Sequence, residues 1–373
     1  MSLNLAVCKI LSPRFKISVA LGLILLSCLL SCGNVTIIGT EVRSDTATDS
    51  TAETDSNTDS DSDTEIGCGV PSSFSWTSSG PLIYPVADPS GIKDPTVVFY
   101  DGKWHIYATT MGDPLNMVYL NFTDWSEAAA APQTLVSTNP NLSGYASTPQ
   151  LFYFSPQQRW YLVHQSQEPT YSTSTDPSDV NSWSEQQLFM TMPPLLTDAG
   201  VDGFDYWVIC DDSDCYLFFS GLNDVLYRAR TSIENFPNGF EGTTEIVMET
   251  STEFALYDSC NVYRMAGTDQ YLLLVSAIGS SGVWRYSRAW TSDRLDGSWT
   301  PLADTEDHPF TSTLNTTGAD WSNFGIVHGE MLRTNPDETM TINTCDMRFL
   351  YSGLLSDTDA GNEYYCLALL TGQ

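Results

Sequence analysis

Five short stretches share one design and limit what this chain can fold into: "TVVFYDGKWHIYAT", "QLFYFSPQQRWYLVHQ", "YWVICDDSDCYLFFSG", "NVYRMAGTDQYLLLVSA" and "EMLRTNPDETMTIN". Each sets two runs rich in β-branched and aromatic residues around a Gly, Asp, Asn or Pro turn, the signature of a β-hairpin. They recur at roughly fifty-residue intervals, a period that suits radial β-repeats. Long helical periodicity is missing, because the apolar stretches are short and broken by Gly, Pro and Ser. The expectation is an all-β chain folded as a five-bladed β-propeller, with a β-sandwich as the alternative.

Composition agrees with a packed β protein and narrows its partners. Aromatic residues make up 12% of the 373 residues, with ten Trp and eighteen Tyr, as a β-rich core requires. The formal net charge of -31 repels nucleic-acid phosphates and anionic lipid surfaces. A neutral polysaccharide satisfies that constraint.

The N-terminal segment reads as an address and not as part of the fold. Lys9, Arg14 and Lys16 precede an apolar run from Val19 to Leu30 that ends Leu29-Leu30-Ser31-Cys32-Gly33. The run is too short to span a bilayer stably and fits a signal peptide. A small residue before a cysteine resembles a bacterial lipoprotein box, with Cys32 the lipidated residue and Cys28 a weaker competitor; a plain secretory signal is the alternative. The stretch "EVRSDTATDSTAETDSNTDSDSDTEI" over 41–66 is too polar to bury a core and reads as an extended tether. The expected organisation is a leader over 1–31, a disordered tether over 32–67 and a propeller over 68–373. The chain is thus expected to be exported and held at the bacterial surface by a lipid, its only link to a membrane.

Beyond the leader and Cys32 stand six cysteines: Cys68, Cys210, Cys215, Cys260, Cys345 and Cys366. An even count in an exported chain suggests disulfides. Cys210 and Cys215 flank "DDSD" and could clip a tight hairpin. The other pairings cannot be read from spacing, and no CxxC or His-rich spacing supports the rival zinc site.

Acids recur near the strand starts. Asp94 precedes "PTVVFY", Asp205 precedes "YWVIC" and Asp258 precedes "SCNVY". Any single Asp there could merely cap a turn. If the first strand of each unit lines the propeller axis, however, three carboxylates converge at one mouth of the channel. Facing carboxylates suit glycoside hydrolysis, which needs an acid for the leaving oxygen and a base for water.

At these residues the chain resembles the α-L-arabinofuranosidases of glycoside hydrolase family 62. The likeness runs from Cys68 to Thr371 through "FSWTSSGPL", "IKDPTVVFYDGKWHIYA", "MVYLNFTDWS", "YSTSTDPSDVNSWS", "DYWVICD", "NFPNGF", "NVY", "QYLLLVSAIGS", "HGEM" and "LLT". The resemblance implies a five-bladed propeller that removes arabinofuranose branches from arabinoxylan or arabinan with inversion. It implies Asp94 as general base and Asp205 as the residue tuning the acid. It places Lys93 and Tyr365 near the arabinose pocket. It places His328 in the axial channel, where related propellers hold calcium, and it pairs Cys68 with Cys345.

The chain departs from that family at the acid. "LYDSCNVY", Leu256 to Tyr263, puts Asp258 where the family carries Glu, so the carboxyl is drawn back by about 1 Å, a displacement that can cost about a hundredfold in rate. Using Glu253 instead would break a gapless match. A weakly active or purely binding propeller is therefore the alternative function, and altered specificity a third. Cys260 and Cys366 also stand where the family has other residues, and a disulfide between them would explain both changes; two separate buried thiols are the alternative.

Overall fold

The computed structural model describes residues 68–372 apart from 167, 281–284, 320, 322–324 and 358–361. The expected leader, Cys28, Cys32 and the acidic tether lie outside these residues. No described helix is long and apolar enough to cross a membrane.

Five antiparallel-based sheets form the five blades of a propeller. Their innermost strands are Ile92–Tyr100, Ser147–Phe154, Phe204–Cys210, Asp258–Met265 and Ile326–Met331. Turn chemistry sets the hairpins. Asp101 and Gly102 both take positive φ, 48° and 72°, the type I′ geometry whose twist matches the flanking strands. Cys210 and Cys215 face each other across the inner hairpin of the third blade and are bonded, as their spacing suggested.

The fifth blade corrects the sequence reading. In "EMLRTNPDETMTIN" only the first run belongs to it; the second supplies Thr341–Ile342, which pairs in parallel with the fourth blade. The run is too short and polar to cover the apolar inner strand. That partner is instead Arg348–Asp357, which pairs onward to Asn362–Gly372. Trp76–Ser78 from the start of the domain then adds to the last strand, Trp76 opposite Gly372. The ring is closed by strand pairing between its two ends, and Cys68 is bonded to Cys345, the pairing the family resemblance implied.

Side chains stitch neighbouring blades near the axis. Thr96 Oγ1 accepts from Leu151 N at 2.9 Å, and Gln150 exchanges two 2.7 Å bonds with Val208. Trp207 Nε1 donates to Val262 O at 2.9 Å, and Tyr263 Oη accepts from Met331 N at 3.0 Å. The circuit closes where Asp94 N donates to Ser352 Oγ at 2.8 Å. Satisfying inner-strand donors across the joints fixes the blades rotationally, since an unpaired buried donor is costly.

Candidate active site

One local irregularity repeats around the axis and builds the site. Each innermost strand carries a register shift near its start: between Lys93 and Thr96, Ser147 and Gln150, Phe204 and Trp207, Asp258 and Cys260, and Val327 and Gly329. In the first four, one residue is left-handed: Asp94, Thr148, Asp205 and Ser259, with φ of 50°, 48°, 55° and 37°. Such conformations are uncommon for non-glycine residues and store strain that surrounding bonds must hold. A bulge also re-aims side chains, which is why bulges favour active sites. Here the five bulges surround a cavity of about 340 Å³ at one end of the axis, lined by Lys93, Asp94, Asp205, Asp258, His328 and Tyr365 among others. All six residues singled out from sequence meet in it.

The three acids are not equivalent. Asp94 and Asp205 occupy the left-handed position of their bulges, but in the fourth blade Ser259 does. Asp258 sits one residue earlier, in the position of Lys93, Ser147 and Phe204. The recurrence of an acid ahead of each strand therefore hid a one-residue slip. As a result Asp94 and Asp205 are buried whereas the Asp258 side chain keeps 22% exposure.

Each buried acid has a distinct surrounding. Lys93 Nζ lies 3.0 Å from Asp94 Oδ2 and His328 Nδ1 lies 3.7 Å from Oδ1. Burial works against ionisation, but the Lys93 and His328 charges, with hydrogen bonds from Lys93 and Thr109, hold the Asp94 carboxyl below the usual range. Asp205 is pushed the other way, chiefly by burial; His328, 3.9 Å away, offsets this in part while the Asp258 and Asp94 charges reinforce it. Its Oδ2 also accepts the Ser259 backbone N–H at 2.8 Å, so it pins the bulge beside Asp258. Neighbouring carboxyls driven apart in proton affinity are a hallmark of acid–base machinery.

Asp205→Asn tests this split. Asn can still accept from Ser259 but carries no buried charge. A carboxyl raised in the fold lends stability while protonated and loses it as pH rises through its folded pKa. Relative to the parent, the variant's urea midpoint is expected to gain more at pH 8 than at pH 4. A constant difference would refute the assignment.

Asp258 holds a partner that sequence did not reveal. Arg285 Nη2 reaches its two oxygens at 2.7 and 2.5 Å, and the guanidinium covers the Tyr257 ring at 4.6 Å. Nothing in "RYSRAW" singles out this arginine. Only the pairing of Arg285 with Ile278, at the mouth end of the fourth blade, brings it there. Tyr365 stands between these charges, and burial raises its phenol, with Lys93 opposing, so it enters the site as a neutral hydroxyl.

One expectation needs correction. Cys260 and Cys366 are both buried free thiols, not a disulfide. Cys260 Sγ points to the Asp205 carbonyl at 3.5 Å, and Cys366 Sγ lies 4.0 Å from the Gly353 carbonyl, each in its own blade. For calcium, no group of three His, Cys, Asp or Glu side chains is arranged to hold a metal among the described residues. The His328 nitrogen faces two carboxylates already engaged with Lys93 and Ser259.

A propeller whose axial mouth carries a depressed carboxylate, a raised one and a third acid has the build of a glycoside hydrolase. The glycosyl hydrolase family 62 model matches residues 75–372. The chain belongs to that family. It is 42% identical over 294 residues to alpha-L-arabinofuranosidase C of Cellvibrio japonicus, covering 77% of this chain but 45% of that protein, so it spans under half of that relative's length. The catalytic domain of a Coprinopsis cinerea family 62 α-L-arabinofuranosidase superposes with a TM-score of 0.77 at 43% identity, covering 82% of this chain and 98% of that one. A family 62 hydrolase in complex with xylotriose gives a TM-score of 0.74 at 40% identity, covering 83% and 99%.

Proposed function

We infer that this chain is an inverting α-L-arabinofuranosidase that removes arabinofuranosyl branches from arabinoxylan or arabinan. The observation carrying this reading is the Asp94 carboxylate, buried yet kept ionised by Lys93 beside a sugar-sized cavity. A base of that kind draws a proton from water as the water attacks the anomeric carbon from the face opposite the departing xylose oxygen. The support from relatives is an arabinofuranosidase of which this chain matches a part, a family 62 arabinofuranosidase catalytic domain and a family member crystallised with xylotriose. Lys93 and Tyr365 would meet the arabinose hydroxyls. Export and a lipid anchor at Cys32 belong to the same proposal and rest on the leader sequence alone.

The proton for the departing oxygen is assigned to Asp258, and the structure favours a second reading through it. Both Asp258 oxygens accept from Arg285, so the carboxyl receives hydrogen bonds and gives none. To act as an acid it must turn from Arg285 and carry a proton. A propeller that grips arabinosylated polysaccharide and turns it over slowly is the reading this arrangement favours if Asp258 stays clamped.

Two substrates separate the readings. An aryl arabinofuranoside has a leaving group that departs without a proton, whereas arabinoxylan needs one. Asp258→Asn should lower arabinose release from arabinoxylan by about 10²–10⁴-fold and affect the aryl substrate far less. Asp258→Glu should raise release from arabinoxylan, by up to about a hundredfold. Equal losses on both substrates would remove Asp258 from the acid's role.

A further inference from the structure

The first inner strand runs from the axial pocket to the opposite face of the propeller. Five residues beyond Asp94, about 16 Å along the strand, Phe99 emerges with 46% of its surface exposed. Trp104 lies directly across the hairpin, its ring 5.0 Å from that of Phe99. These two rings line a groove of about 290 Å³ together with Thr334, Asn343, Asp346 and Arg348. The Arg348 guanidinium lies 5.8 Å from the Trp104 ring, and its Nε is buried without a hydrogen-bond partner.

The charges of the groove are spent within the protein. Arg348 pairs with Asp346 at 3.2 Å, and Arg333 in its floor pairs with Glu330 at 2.8 Å. An anion meets no unpaired cation there, on a chain already at -31. What remains on offer is aromatic surface beside the polar side chains of Thr334, Asn343, Asp346 and Arg348. That combination suits a ligand with apolar C–H faces and rows of hydroxyls, and is how a neutral sugar is held.

We propose that this groove is a second carbohydrate-binding site, taking an unbranched stretch of a neutral pentose polymer on the face opposite the axial pocket. The identity of the polymer, a xylan, rests on the proposed arabinofuranosidase activity; the neutrality of the ligand rests on the groove alone. The site would keep the enzyme on one polymer while the pocket works on the branches, raising the local concentration of the next branch.

Native gel electrophoresis in gels containing debranched soluble xylan tests it, with the full chain carrying Asp94→Asn so that the polymer stays unchanged. Phe99 is exposed, so Phe99→Ser is expected to fold; it should weaken retardation roughly tenfold, and Phe99→Tyr should restore it. In the Asp94 background the same two variants should hydrolyse an aryl arabinofuranoside at the parent rate. Retardation that is unchanged in Phe99→Ser overturns the proposal. So does a dimer that dissolves in Phe99→Ser while retardation persists, which would make the groove a self-association surface. Retardation that depends on Phe99 in a protein inert on every arabinofuranoside would sink the proposed activity and uphold the groove.

Discussion

Asp94→Asn is expected to lower turnover on arabinoxylan by about 10²–10⁴-fold, the usual worth of a positioned general base, and to lower it on an aryl arabinofuranoside as well. Both substrates need an activated water, so this variant cannot be rescued by a better leaving group. That is the contrast with Asp258. The backbone bond from Asp94 N to Ser352 Oγ does not involve the side chain, so the bulge should survive and KM should change little. Lys93→Met provides the complementary measurement. With the ammonium gone, burial acts on Asp94 unopposed by its nearest cation, and the acidic limb of the kcat/KM profile should move to higher pH. An unmoved limb would mean that Lys93 does not hold the base ionised.

Arg333→Met is expected to destabilise the propeller by about 3–5 kcal/mol, the range for removing one partner of a buried ion pair. Arg333 and Glu330 are each 1% exposed in their side chains. Arg333 donates to the carbonyls of Leu151 at 2.7 Å and Val97 at 3.3 Å, tying the fifth blade to the first two. Its loss removes a donor from both those carbonyls and leaves the Glu330 carboxylate without its cation. Burial raises the Glu330 carboxyl, with Arg333 the main opposing influence. Without that influence its folded pKa climbs further, and stability is lost as pH rises through it. The urea midpoint of the variant should therefore fall further below the parent at pH 8 than at pH 5. Arg333→Met with Glu330→Gln should recover much of the loss, because no buried charge is left alone.

The hairpins were legible because their turns are local chemistry. Asp101-Gly102 and the Cys210/Cys215 loop each declare themselves within six residues. The fifth blade was not, because its inner strand pairs with a run that begins seventeen residues further on, at Arg348, and the intervening "TMTIN" has strand composition but pairs with the fourth blade instead. Site residues followed the same divide. Asp94 and Asp205 could be found because a carboxylate ahead of an apolar strand is conspicuous. The slip that sets Asp258 apart could not, since it depends on Ser259 taking the left-handed turn in the fourth blade. Arg285 was hidden for a related reason: its role exists only once cross-strand register carries it to Asp258. The cysteines show the limit of counting, since an even number yielded two disulfides and two buried thiols.

The account stands on water being activated by Asp94 on the side of the sugar away from the departing oxygen. Proton NMR of arabinoxylan during the first minutes of hydrolysis reads that geometry from the configuration of the released arabinose. Appearance of the β-anomer before mutarotation is the predicted outcome. An α-anomer appearing first would place a covalent nucleophile where this account puts a water, and would contradict it.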